Sequence, residues 1–65
     1  VALVYQVTMD GRDVDGAGSL AMAAEYARRA ARGRPGAIAC VDNLQGERVA
    51  EYVIDANGDL RAWVR

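Results

Sequence analysis

Few side chains in this chain could do chemistry. There is no histidine and no lysine, and serine, threonine and cysteine occur once each, as Ser19, Thr8 and Cys40. General acid–base and nucleophilic catalysis at neutral pH rest on imidazole, amine, thiolate or an activated hydroxyl. The sequence therefore predicts a protein that is not an enzyme. Ser19 has no imidazole to activate it and reads as a helix N-cap. Cys40 sits mid-strand among apolar residues, where a thiol behaves as a small hydrophobe; a reactive one needs a lowered pKa.

Two loop patterns resemble ligand sites and fail on detail. Gly16-Ala17-Gly18-Ser19-Leu20-Ala21 spells G-x-G-x-x-A ahead of a helix, the spacing of a pyrophosphate cradle. Asp10, Asp13 and Asp15 stand just before it and repel phosphate, and the C-terminal half reads as hairpins rather than further βαβ units. A calcium loop needs acid or amide ligands at positions 1, 3 and 5, glycine at 6 and glutamate at 12. Counted from Asp13, position 5 is Ala17 and position 12 is Ala24. Counted from Asp55, position 6 is Leu60. No metal and no cofactor are expected.

All eight basic residues are arginine, and the net charge is −1. Arg28, Arg29, Arg32 and Arg34 form a local basic cluster. With Tyr52 and Trp63 exposed, they could hold single-stranded nucleic acid by phosphate contact and stacking. This is the alternative functional reading, a nucleic-acid-binding regulator. Against it stand the acidic balance of the whole chain and the ordinary habit of an Arg-rich helix face, which is to be solvated.

The elements that must carry these residues follow from periodicity. The chain is one domain, 1–65, with 52% hydrophobic and 26% charged residues. Leu3 to Met9 reads as a strand with Leu3, Tyr5, Val7 and Met9 on one face. Asp10 to Gly18 reads as a turn-rich connection. Leu20 to Arg32 is a helix with an apolar stripe at Leu20, Ala23, Ala24, Ala27 and Ala31. Gly33 is the expected left-handed terminator, and Pro35 blocks continuation. Strands follow at Ala37 to Asp42, Glu47 to Asp55 and Asp59 to Val64. The predicted class is α+β, in the order β-α-β-β-β, with one helix on a mainly antiparallel sheet of about four strands. The first strand is free to pair at either edge or to exchange with another subunit. The longest apolar run is far too short to span a bilayer, and no signal peptide is evident. No membrane contact is expected, and a cytoplasmic location is the default.

A two-residue turn at Asn57-Gly58 places Val53 opposite Ala62 and Tyr52 opposite Trp63. An even loop at Gln45-Gly46 then sorts the sheet into two faces. One carries Ile38, Cys40, Val49, Val53, Leu60, Ala62 and Val64 with Asp42, Glu51 and Asp55. The other carries Ala37, Ala39, Val41, Ala50, Tyr52, Ile54 and Trp63 with Arg48, Arg61 and Arg65. Both are largely apolar, and one helix covers one face. The alanine stripe complements the bulky Tyr52, Ile54 and Trp63, whereas the aliphatic face makes an ordinary core. The second arrangement is preferred, because it leaves outside the residue types enriched at binding hot spots. The expected function is a small interaction module that self-associates as a homodimer or docks as an accessory subunit. Its partner-binding residues would be Tyr52, Ile54, Arg61, Trp63 and Arg65. A chain this short often gains stability from such a partner.

Overall fold

A computed structural model describes residues 3–65; the first two residues of the expected domain lie outside it. It contains β1 (Tyr5–Met9), β2 (Arg12–Ala17), α1 (Leu20–Gly33), β3 (Ala39–Asn43), β4 (Arg48–Ile54) and β5 (Leu60–Val64). All paired strands run antiparallel, in the spatial order β2-β1-β3-β4-β5. One helix packs on this antiparallel sheet, as expected, but the strands number five rather than about four.

The extra strand is β2, inside the stretch read as a connection. Asp10 and Gly11 both adopt left-handed backbone, with φ of 54° and 75°. They make a two-residue hairpin turn that sets Met9 opposite Arg12. Aspartate tolerates this conformation and glycine adopts it freely. The strand is hard to see because Arg12, Asp13, Val14 and Asp15 are all exposed and only Ala17 is buried. With β2 on its outer side, β1 lies within the sheet, not at an edge.

The helix starts where Ser19 caps it: the hydroxyl oxygen accepts from the Met22 backbone N–H at 3.2 Å. Ala23, Ala27 and Ala31 are fully buried. Their small side chains let α1 lie close over Val7, Met9, Ala17, Ala39, Val41, Ala50 and Tyr52, which complete the core. Gly33 does not terminate the helix in the left-handed region. Arg34 is the cap residue, and the left-handed glycine is Gly36, at φ 90°. Its N–H donates to the Ile54 carbonyl at 3.0 Å, tying the helix exit to β4.

Both later hairpins use one device. Asn43 accepts through its backbone carbonyl from the Gly46 N–H, and Asp55 does the same for Gly58. The side chain of each also accepts two further backbone N–H groups: Asn43 from Gln45 and Glu47, Asp55 from Asn57 and Asp59. Gly46 and Gly58 sit at φ 81° and 84°. The loops are thus three residues long, 44–46 and 56–58, with left-handed glycine in the last place.

Odd loop length overturns the expected register of β5. Val53 faces Arg61, Tyr52 faces Ala62 and Glu51 faces Trp63. In the first hairpin a bulge beside Val41 and Asp42 restores the parity between Val41 and Ala50. The sorting of β3 and most of β4 therefore stands, while Arg48 moves to the face of its partner Asp42. The helix takes the face of Ala39, Val41, Ala50, Tyr52 and Ile54, opposite to the preferred arrangement. Leu60, Ala62 and Val64 share that face, and Trp63 and Arg61 lie on the open one.

Helix cover stops short of β5. Val7, Val41, Ala50 and Val64 form one continuous cross-strand row. The first three are fully buried, whereas Val64 is 57% exposed. Every residue from Arg61 to Arg65 is exposed.

Candidate functional site

The open face is built by alternation. Residues of β3, β4 and β5 that do not point at the helix include Cys40, Asp42, Glu51, Val53, Arg61 and Trp63, joined by Ile38 just before β3. No described element covers them. Ile38 and Trp63 are 47% and 50% exposed. With Glu51, Val53 and Arg61 they line a shallow recess of about 190 Å³.

Charges frame this apolar quarter in fixed pairs. Arg48 bridges two acids, its Nε donating to Asp42 at 2.6 Å and its Nη1 to Glu51 at 2.8 Å. The hydrogen bond to Asp42, then that to Glu51, holds its guanidinium firmly charged. Arg61 Nε donates to Asp55 at 2.9 Å. The Asp55 carboxyl is lowered chiefly by the Asp59 backbone N–H and then by Arg61. Arg65 Nη1 donates to Glu47 at 3.2 Å; the Asn43 side chain, then Arg65, lowers the Glu47 carboxyl. Burial pushes the Cys40 thiol upward, Arg48 opposing it. That is the opposite of what a nucleophilic cysteine needs.

The five expected partner-binding residues do not form one patch. Trp63 and Arg61 share the open face. Tyr52 is buried beneath the helix, with Arg28 above its ring at 5.8 Å. Ile54 is half-buried on the same side, packed against the core, and Arg65 lies at the chain's end beside Glu47. Ile38 and Val53 adjoin Trp63, whereas the sequence sorts them to the opposite face. The available signal was the repeated spelling Asn43-x-x-Gly46 and Asp55-x-x-Gly58, whose Asx side chain demands a three-residue loop.

The basic cluster is also dispersed. Arg28 lies towards β4 over Tyr52, while Arg29 borders a depression with Val14 and Asp15 of β2. Arg29 pairs with Glu25 at 3.4 Å, and Arg34 pairs with Asp10. Arg32 is exposed in the last helical turn. Among the described residues no group of three potential ligands is placed to hold a metal ion, and no helix is long and apolar enough to cross a membrane.

No protein-family model matches the chain, and neither a curated protein nor a solved structure gives a significant match.

Proposed function

We propose that the chain is a small non-enzymatic interaction module that docks onto protein through its open sheet face. One observation carries the reading: a half-exposed tryptophan, Trp63, stands beside Ile38 and Val53 on a face that no described element covers. Aromatic and arginine side chains at the centre of a desolvated patch dominate binding energies. Trp63 supplies the first, Arg61 the second, and Ile38 and Val53 the apolar surround. The pairs Arg48–Asp42 and Arg48–Glu51 form a polar rim that orients a partner without desolvating a lone charge. The nucleic-acid reading draws less support, because its arginines lie on separate flanks of the helix and two of them are paired with acids.

Site-specific photo-crosslinking tests the proposal. A photoreactive residue replaces Trp63 in one variant and Val14, an exposed apolar residue of β2, in another. Crosslinking in host extract should give discrete protein adducts from position 63 and none from position 14. Equal yields from both, or none from position 63, would refute it.

A further inference from the structure

Resting on that docking reading, we infer that one partner is a second copy of this chain, joined antiparallel through the outer edge of β5 about a two-fold axis at Ala62. Both ends of the β4–β5 ladder fix which backbone groups remain. The Asp55 N–H donates to the Asp59 carbonyl, and the Arg65 N–H donates to the Val49 carbonyl. Hydrogen-bonded pairs alternate along an antiparallel ladder, so Arg61, Trp63 and Arg65 turn their backbone groups towards β4. Leu60, Ala62 and Val64 turn theirs outward, and no described strand pairs with them.

Self-pairing must match these three outward residues with one another. With Ala62 opposite its own copy, Leu60 meets Val64 and every outward N–H and C=O finds a partner. On the open face the same register sets Arg61 opposite Trp63, and Asp59 opposite Arg65. The first is a cation over an aromatic face, the second an ion pair. Asp59 makes no ion pair among the described residues of its own chain, and this register supplies one. Sliding the copies by one two-residue step either way sets Arg61 against Arg61 or against Arg65, a like-charge clash. Only the register centred on Ala62 pairs all three outward residues and opposes no like charges.

The other edge is built differently. β2 carries the exposed acids Asp13 and Asp15 and a bulge opposite Val7 and Thr8. Both devices discourage strand addition. A two-fold axis perpendicular to the sheet also puts both helices on one side. The exposed strips of Ala62 and Val64, flanked by half-buried Leu60, then merge into one apolar floor between the two helices.

The test combines mass with covalent capture. The interface is small, so sedimentation is followed from about 1 mM to about 1 µM, a range spanning about 4 kcal/mol of affinity. A reversible dimer is expected at the high end. Ala62→Cys in a Cys40→Ser background should crosslink to a covalent dimer under mild oxidation, since directly opposed residues lie within disulfide reach. Ala62→Pro removes an outward N–H that the monomer does not use. Ala62→Lys sets two like charges together on the axis. Each should remain folded by circular dichroism and stay monomeric. A monomer throughout the range overturns the inference and leaves the docking reading to the Trp63 crosslink. A dimer that survives both substitutions, or growth beyond two copies, overturns this edge while leaving association itself in place.

Discussion

Two of the three valines in the row Val7–Val41–Ala50–Val64, Val41 and Val64, share one sheet face in opposite circumstances, and truncating each tests where helix cover ends. Val41 is fully buried between Val7 and Ala50, whereas Val64 is more than half exposed. Val41→Ala deletes two buried carbons at about 0.8 kcal/mol each. Incomplete collapse of the cavity raises the cost to roughly 2–3 kcal/mol. A domain this short has on the order of 3–10 kcal/mol in all, so the variant loses a large share of its stability. At roughly 4–8 °C per kcal/mol, its Tm should fall by about 10–20 °C. Val64→Ala should cost less than about 0.5 kcal/mol when measured in dilute monomer. Urea denaturation followed by far-UV circular dichroism at low micromolar concentration reads both. Equal losses would refute the claim that β5 lies beyond the helix, and with it the exposed strip on which association depends. If β5 edges pair, the Val64→Ala penalty grows with protein concentration while that of Val41→Ala does not.

Four further outcomes are expected. Asp55→Ala should lower Tm, and Asp55→Asn should lower it less, since Asn43 already performs the same double acceptance in the first hairpin. Because the folded Asp55 carboxyl lies below its ordinary value of 3.8, its contribution is complete above that value and is lost as pH falls through the folded one; Tm followed from about pH 5 to about pH 1 should decline less for Asp55→Asn. Ala27→Leu, forced between α1 and the sheet, should cost roughly 1–3 kcal/mol by chemical denaturation, far more than the small loss of helix propensity from alanine to leucine. Cys40, its thiol raised by burial, should react with a disulfide reagent at pH 7 more slowly than free glutathione, and unfolding should remove the difference.

The parts of this fold legible in the sequence were those with local physical causes. The helix was visible in the spacing of its alanines and in Ser19, and β3 and β4 in their apolar runs. β2 was hidden because Ala17 is its one buried residue and the helix-side positions opposite Val7 and Met9 are the exposed charges Asp15 and Arg12, so no hydrophobic alternation marks it; Asp10-Gly11 was the available sign. The faces were harder. Assigning them required the exact count of loop residues, and Asn57-Gly58 supports either a two-residue turn or, with Asp55 accepting behind it, a three-residue one. That single residue separates Tyr52 from Trp63. Of the expected partner-binding residues, Trp63 and Arg61 share the open face, whereas the sequence sorts their neighbours Ile38 and Val53 to the other side.

The three-residue loop 56–58 makes β5 a strand whose polarity can be inverted alone. Because β5 is last in the sheet and, among the described strands, bonded only to β4, loss of one residue from that loop would rotate it by half a turn while leaving β1 to β4 untouched. Trp63 would swing to the helix side, and Leu60, Ala62 and Val64 would become the open surface. A change of equal size in loop 44–46 would instead carry β4 over with β5 and expel Ala50 and Tyr52 from the core. Insertions and deletions should therefore be tolerated in the second hairpin and rejected in the first, giving descendants of this chain a cheap route to new binding surfaces on an unchanged framework.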